Sequence, residues 1–505
     1  MEGSRPRSYV TYRDAGADYF DKRKLRRHAR VWSLWALGVA AVISGDFFGW
    51  NFGLAYGFGG LLVATVVITV MYFGLCYSIA EMSPALPHTG GAYSFARSAM
   101  GPWGGFTTGV AETIEYVVTP AVIAVGIGGY MQSIFDDLFG VSIDAGVWWA
   151  VFYVVFVGLN WFGIEATFRF TVFICVASLA ILAVFYIGAL TKLDFDRWAI
   201  GEQGWFPEGV PGVFYAFPFA IWFYLAIEEL PLAAEESHDP RRDIPRGTIY
   251  GLLTLILTAF LVLFLNSGIR PGSEGLADSA EPLLDGLKTI FGSGTAASLL
   301  GLIAVTGLVA SFHTIIFAYG RNIFSLSRAG YYPHALSVTH GRRNTPHVAL
   351  IVGAIIGYGL CWIIREAGSG SVGAALLTMA VFGAVISYFM QTVSFILLRR
   401  RLPDIDRPFR SPLNEWGALV AAVIAAISLV SLFWNDDYRP GVVGVAIFYV
   451  IAITYFALAG RHRLVLSPEE EFATTQGVHG HPESEGYGVT QREQRQPGST
   501  PTAEP

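Results

Sequence analysis

Twelve apolar blocks, each close to 20 residues long, constrain the fold of this 505-residue chain more than any other feature. As a helix, a block of that length crosses roughly 30 Å of hydrocarbon. Within a bilayer only helices and closed barrels satisfy their own backbone hydrogen bonds. The blocks fall at approximately 31–56, 59–82, 104–131, 146–163, 168–190, 212–236, 247–268, 297–324, 347–365, 372–398, 415–434 and 440–460. Only 14% of the residues are charged and 53% are hydrophobic, whereas about a quarter of an ordinary soluble domain is charged. The expected fold is an all-α membrane protein with twelve transmembrane helices.

The distribution of basic residues orients the spans. With the N-terminus placed in the cytoplasm, six of the 33 Lys and Arg residues face outward: Lys192, Arg197, Arg270, Lys288, Arg365 and Arg439. The rest lie in inside segments and tails, an asymmetry that follows the positive-inside rule and places both termini in the cytoplasm. The expected location is the cell inner (plasma) membrane. The N-terminal basic cluster and the first apolar run imitate a signal peptide, but the run is too long and lacks a convincing cleavage site, so it reads as an uncleaved span. Residues 1–30 form a polar tail and 31–463 the membrane domain. Residues 464–505, poor in large apolar side chains, are expected to be disordered. Cys76, Cys175 and Cys361 all lie within apolar segments, an odd set suited to packing.

Two spans break their own pattern. In the first, Val42-Ile43-Ser44-Gly45-Asp46-Phe47-Phe48-Gly49 combines a weak helix-forming pair with an acid at bilayer depth, where a charge costs several kcal/mol unless it faces protein or water. In the sixth, Trp222-Phe223-Tyr224-Leu225-Ala226-Ile227-Glu228-Glu229-Leu230-Pro231 places two acids and a helix-breaking proline in the second half of the span. Broken helices at the membrane midplane are how many carriers build a substrate site. Spans one and six are five apart. That spacing suggests inverted repeats over approximately 31–190 and 212–398, each opening with a broken helix, plus two extra helices over 415–460.

Span three adds Glu112 and Glu115 near its midpoint. Glu112 and Tyr116 are one turn apart on one face, with Glu115 on the neighbouring face. With Asp46, Glu228 and Glu229 they make five acids at mid-membrane depth, while the embedded parts of spans one, three and six contain no Lys or Arg. Such a cavity recruits a cation, whether substrate, proton or metal ion.

The motifs also carry a family resemblance. The Gly/Ser-rich break of span one resembles that of the amino acid–polyamine–organocation (APC) superfamily of transporters. So do Glu81-Met82-Ser83-Pro84-Ala85-Leu86-Pro87-His88-Thr89-Gly90-Gly91-Ala92-Tyr93, the stretch from Ala233 to Gly247, and Arg321 through Pro333. Within it, Ile43 to Leu54 and Ala111 to Tyr130 are most similar to the bacterial ethanolamine permeases. The resemblance implies the leucine-transporter-like fold. It also implies that backbone groups of the two breaks hold the substrate, with Trp222 as an aromatic gate and Glu228 matching an acid used in coupling or gating. The expected substrate site is Ile43, Ser44, Gly45, Asp46, Phe47, Glu115, Tyr116, Trp222, Tyr224, Leu225, Ala226, Ile227 and Glu228. Glu112, Glu229 and His313 are gating or coupling candidates. Ser311 and Thr314 are hydroxyls placed for a sodium site, and Glu81, Glu235 and Glu236 are placed for salt-bridged packing at the cytoplasmic helix ends. The lysine that some proton-coupled relatives carry in span five has no counterpart between Phe168 and Leu190.

No phosphate-binding Gly-x-x-x-x-Gly-Lys-Ser/Thr loop appears, which argues against ATP-driven transport by this chain alone. No metal cluster or nucleophile motif stands out, so neither an enzyme nor a cofactor is expected, and nothing points to nucleic acid. The sequence thus reads as a secondary active transporter of a small organic amine, ethanolamine first, working in the lipid bilayer with a proton or sodium ion as possible coupling ion. An amino acid or polyamine carrier of the same superfamily is the alternative, and a non-transporting amine sensor is a more distant one.

Overall fold

The computed structural model describes residues 10–13, 19–20, 22–23, 25–292, 295–341, 343–366 and 371–475. Among these, eleven helices are long and apolar enough to cross a membrane, and a bent pair supplies the twelfth. Span one is Val31–Phe47 with Trp50–Tyr56, inclined to each other by 44°. Spans two to six are Phe58–Ala85, Gly91–Phe139, Ala145–Phe162, Ile164–Leu190 and Gly209–Glu236. Spans seven to twelve are Pro240–Ser267, Leu299–Arg328, His347–Glu366, Leu377–Arg401, Asn414–Ser431 and Arg439–His462. The chain is a multi-pass, all-helical membrane protein, as its apolar blocks imply. Span three begins earlier than its apolar block because a first helical stretch from Gly91 is joined to it at Gly101, whose φ of +83° precedes Pro102.

The packing has the two-fold character of an inverted repeat. Span one lies against spans five, seven and eight, and span six lies against ten, two and three. Each contact in the first set maps onto one in the second by a shift of five spans. Spans three and ten form one long contact, matched by spans eight and five. Because five is odd, the two halves cross the membrane in opposite senses. Spans three and eight are largely buried, whereas span twelve is almost wholly exposed. Span eleven packs against two and ten, and span twelve against ten and three.

The start of the C-terminal tail departs from expectation. Residues 464–475 are folded: Leu464–Val465 pairs in parallel with Tyr12–Arg13, and Pro468–Thr474 forms a helix against the Gly91–Phe139 segment. Composition over 464–505 does not show this because only a few apolar side chains, among them the buried Leu464, Val465 and Phe472, anchor the segment, together with specific polar contacts. Residues 476–505, also expected to be disordered, lie outside the described residues.

Candidate functional site

Span one is interrupted in two steps. The Ser311 hydroxyl of span eight enters its hydrogen-bond ladder, donating to the Ala40 carbonyl at 2.7 Å and accepting from the Ser44 N–H at 2.9 Å. One side chain thus replaces the bond that would join residues 40 and 44. A further turn, Ser44–Phe47, follows before the chain leaves the helix at Phe48 (φ −162°, ψ 149°) and Gly49 (φ +95°). The full break therefore falls at Phe48-Gly49, a turn beyond the Ser44-Gly45 pair that the sequence singles out. Gly45 has a different role. A Cβ there would lie 2.5 Å from the Trp222 carbonyl oxygen, so the glycine lets the broken parts of spans one and six touch.

Span six breaks between Trp222 and Ile227. Its helical part Phe217–Trp222 ends, Ala226 takes a left-handed conformation (φ +83°), and the chain resumes as a tighter 3-10 helix, Ile227–Glu236. A non-glycine residue there is strained by about 1 kcal/mol or more and persists only when its surroundings impose it. Pro231 lies inside the resumed helix and does not make the break. The two breaks are stitched together: Trp222 Nε1 donates to the Phe48 carbonyl at 2.9 Å, and the Trp50 and Phe223 rings stack at 5.6 Å. Tyr130 of span three donates to the Phe47 carbonyl at 3.0 Å. Phe47 itself packs against Gly307 of span eight, and Ile227 sits between Gly38 and Gly251. Ile43 and Leu225 are buried in the same core.

The five acids do not form one group. Glu115 and Glu228 are buried neighbours that interact directly, with Glu112 beside Glu115 and Glu229 adjoining Glu228. Both oxygens of Glu229 are buried without a hydrogen-bond partner, while Glu228 and Oε2 of Glu115 are buried against each other, with Tyr388 and the Ala226 backbone beside Glu228. Glu112 is better served: Tyr116 donates to it at 3.4 Å and Asn322 at 3.2 Å. Tyr388 of span ten donates to Glu115 at 3.4 Å and accepts from Tyr72 of span two at 3.0 Å. The Tyr72 ring packs on Tyr224, whose hydroxyl pairs with Thr69 at 2.8 Å.

Asp46 belongs elsewhere. It approaches the Thr258 hydroxyl of span seven, with Tyr186 and Tyr224 as further electrostatic neighbours, and its Oδ2 is buried without a partner. Among the described residues, none of the other four acids acts on it as they act on one another. His313 is farther from both breaks, between spans four and five. There it meets Asn160 at 3.1 Å, the Thr167 carbonyl at 3.5 Å, and the Phe156 and Phe170 rings. Thr314 donates within its own helix to Ala310 and Ser311.

The site is closed toward both faces. On the face that carries the termini, Arg321 pairs with Glu236 at 2.8 Å and Arg328 with Glu235 at 2.5 Å. Glu81 is shared by Arg399 at 2.6 Å and Arg407 at 3.3 Å. These are the pairings expected of Glu81, Glu235 and Glu236. On the opposite face, Asn51 Nδ2 donates to the carbonyls of Leu276 and Ser279 at 2.7 and 2.9 Å, docking the 272–291 segment on the Trp50–Tyr56 part of span one. In that segment, burial pushes the Glu281 carboxyl up to about 7, partly opposed by Lys288 at 3.9 Å. Sequence reasoning did not find Tyr72, Tyr388, Asn322, Tyr130 or Thr258. Each is a common hydroxyl or amide in an apolar span, without a local signal to mark it.

A break in span one, a matching break in span six and a buried polar core between them define the class: a membrane carrier of the broken-helix, inverted-repeat type. The family model for amino acid permeases matches residues 35–463, and the chain belongs to that family of transporters, not to an enzyme family. It is 27% identical to an uncharacterized transporter of Rhizobium meliloti (strain 1021), over 86% of this chain and 92% of that protein. It is 24% identical to the branched-chain amino acid permease BcaP of Bacillus subtilis (strain 168), over 87% and 95%. The D-serine/D-alanine/glycine transporter of Escherichia coli (strain K12) is 23% identical, over 88% and 96%. None of these three relatives is named for ethanolamine.

Proposed function

We propose that this protein is a secondary carrier of a small amino acid whose ammonium group is received by Glu228 and Glu115 at the break of span six. One observation carries the reading: these two buried carboxylates lie against each other where the backbone of span six is unwound, and among the described residues no Lys or Arg pairs with either. An ammonium supplies the missing cationic donor and offsets the desolvation of the acids. Trp222, bonded to the span-one break, closes the site on one side, and Tyr388 orients Glu115. Two of the named relatives transport amino acids by their names, which favours an amino acid over a simple amine.

Ethanolamine is the second reading. It is favoured by the excess of acid in the core, where Arg321 of span eight is already engaged by Glu236. Alternating access, coupling to a proton or sodium ion, a plasma-membrane location and cytoplasmic termini belong to the same proposal, the last resting on the Lys and Arg asymmetry. The test is uptake of labelled serine into proteoliposomes under imposed pH or sodium gradients, with glycine, leucine, ethanolamine and putrescine as competitors. Serine uptake blocked best by small amino acids is expected. Dominant competition by ethanolamine would establish the second reading, and uptake of none of them would overturn both.

A further inference from the structure

The face bearing the termini holds a second buried charge centre that the transport site does not use. Glu470, on the short helix Pro468–Thr474, is fully buried. It pairs with Arg97 Nε at 2.5 Å, accepts from Tyr331 at 2.7 Å and accepts from Tyr12 at 2.9 Å. Arg97 Nη2 also donates to the Tyr12 hydroxyl. Four separate parts of the chain therefore meet at one carboxylate: the N-terminal strand, the segment leading into span three, the turn after span eight and the C-terminal tail.

The surrounding contacts have the same character. Val465 N–H donates to the Ala329 carbonyl at 2.9 Å, and the approach needs Gly330, where a Cβ would lie 2.4 Å from the Arg463 carbonyl oxygen. Phe472 packs with Met82, Leu86, Phe95, Phe395 and Leu398 in a hydrophobic cluster separate from the main core. Farther along the N-terminal segment, Arg23 donates to Ser337 at 2.7 Å and to the His334 carbonyl at 3.1 Å. Ala29 pairs with Ser237, at the end of broken span six. These contacts join the lead-in to span one to the ends of spans six and eight.

We propose that the N-terminal strand and residues 464–475 form a latch that holds the terminal face closed, with the Arg97–Glu470 ion pair as its fastening. On this proposal, the first half of span one moves away from spans three and eight when this face opens. The latch bridges those same parts, so its bonds stabilise the closed form alone. A contact made in one state only shifts the equilibrium toward that state by its own free energy. The tails thereby set how often the face opens, without touching the substrate. The proposal rests on the carrier reading only in requiring that this face opens.

The test needs no substrate. A cysteine replacing Ala234, buried on the second half of span six, reports opening by its rate of labelling with a maleimide, with the parent chain and its buried Cys76, Cys175 and Cys361 as background. Glu470→Gln keeps the shape of the side chain and removes its charge. Losing a charge-assisted bond in the closed state is expected to raise labelling roughly tenfold or more. The exchanged pair Arg97→Glu with Glu470→Arg should slow it again toward the parent rate. Tyr12→Phe, which removes a single hydroxyl, should give a smaller rise and serves should Glu470→Gln not fold. Labelling unchanged in a folded Glu470→Gln or Tyr12→Phe protein would overturn the latch, and would leave the transport reading untouched.

Discussion

Gly45→Ala tests the contact on which the site depends. The added Cβ would lie 2.5 Å from the Trp222 carbonyl oxygen, 3.2 Å from its carbon and 3.3 Å from Phe223 Cα. Ordinary contact begins near 3.4 Å, so the two breaks must separate by roughly 0.9 Å. The opposing atoms are backbone, so no rotamer change relieves the clash. Overpacking of this kind costs about 1–3 kcal/mol, which lowers the population of the state in which the breaks touch by roughly five- to 150-fold. The assay is initial uptake rate in proteoliposomes beside thermal stability in detergent. Gly158→Ala in span four is the control, because a Cβ there meets nothing within 4 Å. Gly45→Ala should lose most of its transport rate while the control keeps it. Parent-like turnover by Gly45→Ala would refute the abutting breaks.

Further outcomes follow from other contacts. Arg321→Gln leaves Glu236 buried without its charge partner, so thermal stability should fall by an amount equivalent to about 3–5 kcal/mol; an unchanged melting temperature would show that the pair is dispensable. Trp222→Phe keeps an aromatic ring but loses the indole N–H bond to Phe48, and should raise KM or uncouple transport while leaving folding intact, which uptake kinetics would reveal. Because the Glu281 carboxyl is raised from 4.5 to about 7, its contribution to docking the 272–291 segment is full below about pH 4.5 and lost as pH rises through about 7. Glu281→Gln should flatten that dependence in melting curves between pH 4 and 8. A cysteine at Asp137 should label from outside intact cells and one at Asn344 should not; the reverse would invert the orientation.

The fold was legible because hydrophobic length and charge sidedness are properties of composition along the chain. Twelve spans, and breaks in the first and sixth, follow from block lengths and a few misfit residues such as Asp46 and Glu228. The fine position of the breaks was not legible. At span one the ladder is cut by Ser311, some 270 residues away, and the last turn runs on to Phe48. At span six Pro231 is the conspicuous helix breaker in the sequence, although Ala226 makes the turn. The acids were visible as a set, but their partition was not. Which way Asp46 points depends on Thr258 in span seven, and no local pattern encodes that neighbour. The folded start of the tail is hidden for a similar reason: Glu470 is unremarkable in sequence and becomes structural only through Arg97, Tyr12 and Tyr331.

The division of labour between Glu228 and Asp46 can be measured directly by competition binding on purified protein, with labelled serine and labelled ethanolamine in parallel. Glu228→Gln and Asp46→Asn each remove one charge while keeping size and hydrogen-bonding capacity. A charge-assisted hydrogen bond is worth about 1.5–3 kcal/mol, or roughly ten- to more than hundredfold in affinity. Glu228→Gln should lose affinity by that order for the transported amine, while Asp46→Asn, turned toward Thr258, should stay within a few-fold of the parent. Loss of binding in Asp46→Asn with Glu228→Gln unaffected would contradict the assignment of the ammonium site to span six.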